Sequence, residues 1–258
     1  MRVALIGGTG VYDPRIFRGG EKKRVNTPYG GPVEVRIGKL EDIDVVFIPR
    51  HGKGHALPPH RVNYRANIYA LKTLGVERII STNSVGGINP GFKPGDIAMP
   101  HDFIDFTRSR IATFYDDEVV HVDVSTPYCN EVRGALLEAG GAIGKVHDKA
   151  VYACTDGPRF ETPGEIRMLG TLGCDVVGMT GVPEATLARE LEMCYASICT
   201  VTNYAAGIGK EKLTAMEVME IVESNTEGVK AILTRAVLKL PKERNCLCGD
   251  ALKGARVK

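Results

Sequence analysis

Tryptophan and glutamine are absent from this chain, and no apolar run approaches the roughly 20 residues that a membrane helix needs. The second absence excludes a helical membrane anchor, and scarce glutamine is one mark of heat-adapted proteins. An excess of charge of either sign is also missing. Thirty-three basic residues against 31 acidic ones leave a net charge of +2, which gives no support for nucleic acid as a partner. Met1 and Arg2 lead directly into a strand pattern without a signal peptide, so a cytoplasmic location is expected. Low-complexity linkers and internal repeats are absent, and Gly19–Gly20, Gly30–Gly31 and Gly140–Gly141 read as turns within one unit.

Seven cysteines in such a chain read as free, buried thiols. Cys246 and Cys248 form a C-x-C pair with no second pair at zinc-finger spacing, so no metal site is expected. Heat-adapted cells are an exception to the scarcity of intracellular disulfides, which leaves Cys129–Cys194 and Cys246–Cys248 bonds open. The tail from Lys239 to Lys258 carries six basic residues against two acidic ones and reads as a solvated end.

Short β-branched runs alternate with helical patterns. Strands are expected at Val3–Ile6, Val33–Ile37, Val45–Ile48, Arg78–Ser81, Asp96–Met99, Val151–Cys154, Val176–Met179 and Tyr195–Val201. Helices are expected at Val62–Leu74, Pro127–Ala139, Thr162–Leu172, Glu184–Glu192 and Ala215–Leu238, the last opened by a capping box of Thr214 and Glu217. The pattern describes a single α/β domain around a mixed central sheet flanked by helices.

Polar groups cluster at strand ends, where open α/β sheets bind ligands. Gly7, Gly8, Thr9 and Gly10 follow the first strand and can turn backbone N–H groups and a hydroxyl toward an anion. Asp13 stands where the dinucleotide fingerprint needs its third glycine, which disfavours a nicotinamide site. Arg50 and His51 follow another strand and offer a planar fork and a ring donor, and Ser81 to Gly87 follow a third. Three such ends together point to phosphate. His51, His55 and His60 are interleaved with Gly52, Gly54 and Pro58–Pro59, so they read as a loop rather than a metal-binding helix face. Asn203 and Glu161 place an amide and a carboxylate where a flat heterocycle could be read by hydrogen bonds.

Taken together, Ile6–Gly10, Arg50–His51, Val62–Leu71, Gly157–Thr162, Gly178–Glu184 and Val201–Tyr204 resemble the trimeric purine nucleoside phosphorylase and methylthioadenosine phosphorylase family. The resemblance covers residues 1–240 and leaves 241–258 as a basic tail, whose C-x-C looks like that of some heat-adapted relatives. It implies a nucleoside phosphorylase/hydrolase-like twisted sheet and phosphorolysis with inversion at C1 of the ribose. Inorganic phosphate is then a co-substrate, with no cofactor and no metal. Phosphate would be held by Thr9, Arg50, His51, Ser84 and Thr180, and the ribose by Met179. Phe160 would pack on the base, Asn203 and Glu161 would act on it, and Thr162 and Ala205 would fall among the substrate contacts.

Members that cleave methylthioadenosine typically carry Asp, Asp and Ser where this chain has Asn203, Ala205 and Glu161. The residues present resemble those of 6-oxopurine enzymes. A 6-oxopurine has an N1 proton for Glu161 and an O6 acceptor for Asn203, whereas adenine turns a lone pair on the carboxylate. The sugar pocket differs from the usual one. Ala215 stands where a histidine typically meets the 5′-hydroxyl, and Val218 and Met219 extend an apolar pocket suited to a methylthio group. His121 resembles a residue given to this pocket by a neighbouring subunit, which implies a homo-oligomer, a trimer or a dimer of trimers. The combination fits 5′-methylthioinosine, with inosine and guanosine as secondary substrates. Adenine-specific methylthioadenosine phosphorylase, or a non-catalytic nucleoside and phosphate sensor, are the alternatives.

Overall fold

The computed structural model describes residues 1–8, 18–141, 145–209 and 214–257. Strand β1 (Arg2–Gly7) pairs in parallel with β4 (Ile43–Pro49) on one side and β5 (Arg78–Gly87) on the other. Its side chains sort by face, as the period-two pleat requires. Val3 and Leu5 enter a core with α2 (Asn130–Gly140) and α5 (Ala215–Lys239). Ala4 and Ile6 enter another with α1 (Tyr64–Thr73) and α4 (Gly181–Glu190). With helices on both faces these strands have no polar side, which is why they read as unbroken apolar runs.

Further along, β11 (Cys194–Tyr204) runs parallel to the whole of β5. β10 (Val176–Gly178) meets only the last two residues of β5 and continues the sheet through β9 (Val151–Cys154) to β7 (Asp102–Asp105). The short β6 (Ile97–Ala98) and β8 (Val146–His147) lie beyond β11. At the opposite edge β2 (Arg18–Thr27) and β3 (Gly30–Leu40) form an antiparallel hairpin that joins β4. The architecture is the single-domain mixed α/β sheet expected. Its central detail is a fork. β1 accompanies β5 only to Ser81 and β10 joins it only from Gly86, with no described strand paired to that edge in between.

The capping box at Thr214 and Glu217 is formed as expected. The strand expected to stop at Ser81 instead carries on through Gly87, so the presumed glycine turn is strand held by β11. β2 has no apolar period in the sequence, because Glu21, Lys22, Lys23 and Arg24 fill an exposed edge strand. α4 starts at Gly181 rather than Glu184, since Pro183 is tolerated in a first turn.

Residues 241–257 are not a solvated end. Cys248, Ala251 and Ala255 are buried, and Val120 forms an antiparallel bridge with Arg256. Two of the basic residues there pair with carboxylates of the protein itself, Arg244 with Glu77 and Arg256 with Glu118. No disulfide joins Cys129 to Cys194, or Cys246 to Cys248. All seven cysteines are free thiols. Among the described residues no helix is long and apolar enough to cross a membrane.

Candidate active site

A cavity of about 380 Å³ opens at the fork. Arg50 and His51 reach it from the end of β4, Ser84 from β5, and Asn203 from the end of β11. Phe160 and Glu161 come from the loop before α3 (Pro163–Thr171). Met179 and Thr180 enter from the junction of β10 and α4, and Ala205, Val218 and Met219 complete the wall. Thr9 lies outside the described residues, and so does the side chain of Ala215, the first residue of α5.

Arg50 is 2% exposed and makes a bidentate pair with the equally buried Glu184, Nε donating to Oε1 (2.5 Å) and Nη2 to Oε2 (2.9 Å). Its Nη1 donates to the Thr82 carbonyl (2.8 Å), just past the point where β1 leaves β5. Burial alone would depress the Arg50 pKa. The Glu184 carboxylate outweighs it and holds the guanidinium above its ordinary value, so Arg50 stays charged. Gly8 makes this packing possible. A Cβ there would sit 2.3 Å from the Thr82 carbonyl oxygen and 2.6 Å from Arg50 Nη1.

Beneath the cavity, hydrogen bonds link Glu184, the partner of Arg50, to Thr180. Tyr195 donates to Glu184 (2.8 Å) and meets the Ser81 hydroxyl (2.7 Å). Asn83 donates to Ser81 and Ser197, and its Oδ1 accepts from the Thr180 hydroxyl (2.8 Å). Thr180 is also the N-cap residue of α4, so the positive end of that helix faces the cavity beside Arg50. Arg110, buried nearby, donates to the carbonyls of Met179 and Asp156 and to the Tyr64 hydroxyl. It thereby holds the Met179 loop against the 155–157 loop, where Gly157 (φ 62°) leaves no room for a Cβ beside the Met179 sulfur.

His51 donates from Nδ1 to the Leu57 carbonyl (2.8 Å), because a carbonyl can only accept. Burial, then the charge of Arg50, lowers its pKa from the ordinary 6.5 to about 4. The neutral ring therefore presents a bare Nε2. The unfolded chain binds a proton that the folded one refuses until near pH 4, so the His51 contribution to stability is complete above pH 6.5 and is lost as pH falls from 6.5 towards 4. A His51→Asn variant should show a shallower loss of unfolding free energy across that window in denaturant titrations. An unchanged slope would refute the assignment.

Asn203 sits just past a register shift between Val201 and itself, the kind of bulge that re-aims a side chain. Its Oδ1 accepts from Thr202 (2.8 Å) and its Nδ2 donates to the Tyr204 carbonyl (2.9 Å), which fixes the amide and leaves one N–H for a ligand. Glu161 accepts from the Thr155 hydroxyl (2.6 Å) through Oε1. The second carboxylate oxygen remains available to a donor in the cavity.

Two expected contacts are placed differently. Thr162 is exposed and serves as the N-cap of α3, accepting from Glu165 N while Glu165 reaches back to the Thr162 N–H. A hydroxyl used that way is a capping group, and it does not line the cavity. Thr162→Ala should cost about 1 kcal/mol of stability and leave kcat/KM unchanged, as read from denaturation and steady-state assays. His121 is exposed and lies outside its own chain's cavity, where its backbone N–H donates to Ala255 (2.8 Å).

The chain belongs to the phosphorylase superfamily, whose family model matches residues 2–238. It is 53% identical, over 98% of both chains, to a probable 6-oxopurine nucleoside phosphorylase of Thermococcus kodakarensis. It is 54% identical to a probable S-methyl-5′-thioinosine phosphorylase of Methanothermobacter thermautotrophicus, over 99% of this chain and 90% of the relative. Its fold matches methylthioadenosine phosphorylase of Schistosoma mansoni in complex with adenine, with a TM-score of 0.94 and 33% identity over 99% of each chain.

Tyr195 and Arg110 carry no functional signal in the sequence, and Glu184 and Asn83 enter it only within the segments Gly178–Glu184 and Ser81–Gly87, with no role of their own. For Glu184 a signal was present. A carboxylate at the apolar stretch Gly181–Leu187 implies a buried cation as partner. The hydroxyl and amide links carry no such mark, since Ser, Tyr and Asn are ordinary strand residues until their partners are known.

Proposed function

We propose that this protein catalyses phosphorolysis of a 6-oxopurine nucleoside, 5′-methylthioinosine with phosphate giving hypoxanthine and 5-methylthioribose 1-phosphate, with inosine and guanosine as secondary substrates. The observation that carries this reading is one cavity lined by an anion-binding wall, an amide-carboxylate pair and an apolar patch. Arg50, Thr180, Ser84 and the α4 N-terminus suit a phosphate, and the bare Nε2 of His51 suits its P–OH group. Held beside the ribose at Met179, the phosphate stabilises the positive charge that develops as the bond from C1 to the purine breaks. One of its oxygens forms the new bond to C1 from the opposite face, with inversion. The free N–H of Asn203 supports N7 of the departing base, and Glu161 accepts the N1 proton that only an oxopurine carries.

The sugar preference rests on Val218 and Met219, the latter 50% exposed at the cavity wall, where an apolar 5′ substituent would cover it. The exposed His121 fits a cyclic trimer, or a dimer of trimers, in which it completes the 5′ pocket of a neighbour. With phosphate present, kcat/KM should be highest for methylthioinosine, then inosine, and far lower for methylthioadenosine and adenosine. Equal values for inosine and adenosine would overturn the base assignment, and inosine above methylthioinosine the sugar assignment. Nucleoside binding without phosphate-dependent release of purine would make the protein a sensor.

A further inference from the structure

At the opposite end of β11 from Asn203, four cysteines converge. Cys194 opens the strand, Cys129 is the N-cap residue of α2, and Cys246 and Cys248 come from the segment after α5. Sequence spacing left the C-x-C pair without partners, but the fold supplies two from distant elements. The sulfurs of Cys194 and Cys246 are 3.3 Å apart and all four lie within 4.8 Å of one another. That range spans the about 3.8 Å edge of a tetrahedron with metal–sulfur bonds of about 2.3 Å. Three of the four side chains are buried and the fourth is half-buried, as a closed structural site requires.

The surroundings favour anionic sulfur. Arg189 donates to the Cys248 sulfur (3.7 Å), and Arg244, two residues before Cys246, is anchored through Nη1 on the Glu192 carbonyl (2.9 Å). The Arg189 guanidinium offsets part of the net −2 charge of a divalent ion with four thiolates.

We propose that Cys129, Cys194, Cys246 and Cys248 form a structural tetrathiolate site for zinc or a divalent ion of similar preference. The ion replaces the thiol protons, which leave to solvent, and no redox step is involved. It would pin the C-terminal segment to α2 and the start of β11. That segment also carries Ala255 and Arg256, which hold the loop at Val120 and His121, so the metal would steady His121 from a distance.

The full chain, produced with zinc and purified under reductant, should contain about one zinc per chain by elemental analysis, released by a mercurial. Cobalt(II) in its place should show thiolate charge-transfer bands, and X-ray absorption at the zinc edge should report four sulfur ligands. A Cys246→Ser, Cys248→Ser double variant should lose the metal and unfold at lower temperature, whereas Cys174→Ser should keep both properties. Absence of zinc with no cobalt uptake, or zinc ligated by nitrogen and oxygen in the wild-type chain, would overturn the proposal. So would zinc retained by the double variant. Only three free thiols in denatured, unreduced protein would show that two disulfides occupy the cluster instead.

Discussion

Exchanging Asn203 for aspartate and Glu161 for serine together should move base preference from inosine-type to adenosine-type nucleosides, by up to about 10⁴-fold in the ratio of kcat/KM. The size follows from buried complementarity. Glu161 is oriented by Thr155 at 2.6 Å and lines the cavity, so an adenine read by this carboxylate would meet it with the N1 lone pair and no proton between them. Serine removes that repulsion and can donate. Aspartate at 203 would keep an acceptor toward Thr202 and offer a second acceptor to adenine's amino group, whereas the present amide offers an N–H. Neither change alone should complete the switch, because each leaves one mismatched partner. Kinetics with inosine, adenosine and their methylthio counterparts read the result directly. A double variant whose kcat/KM falls equally for inosine and adenosine would show that these side chains organise the pocket and do not read the base.

Glu184→Gln should destabilise the fold by about 3–5 kcal/mol and raise the KM for phosphate, while Arg50→Lys should raise the phosphate KM with a smaller loss of stability. Both partners are essentially inaccessible, so removing one charge leaves the other desolvated and unpaired. Glutamine keeps the volume and isolates the charge. Lysine keeps the charge but cannot repeat the fork that places two bonds on Glu184 and one on Thr82. The network continues through Tyr195, Ser81 and Asn83 to Thr180, so a disturbed Arg50 should also loosen Thr180, the second proposed anion contact. Urea unfolding together with phosphate titration at saturating nucleoside separates the two effects. Wild-type stability in Glu184→Gln would mean that water reaches the pair.

Much of the site was legible in the sequence because its residues sit at strand ends. Apolar runs such as Val45–Ile48 and Met193–Val201 announce themselves by composition, and the polar residues that follow stand out as Arg50, His51 and Asn203. Thr162 lies at no strand end and entered the expected site through the resemblance alone. A hydroxyl next to Glu161 in a family-like segment looks like a contact, and only the backbone geometry shows that it caps α3.

By itself the sequence determined the alternating α/β order, the faces that must be buried and the chemical types gathered at the carboxyl ends of the strands. All of these follow from local periodicity and from the chemistry of single side chains. Tertiary structure alone decided what depends on which distant residues meet. It opened the sheet over Thr82–Val85, put Glu184 on Arg50, turned Asn203 with a bulge and folded the basic tail back onto the body. It also brought Cys129 and Cys194 to a C-x-C pair that spacing had left isolated. Contacts across long loops leave no periodic trace in a chain, because their specificity lies in packing and desolvation that exist only once the chain has folded.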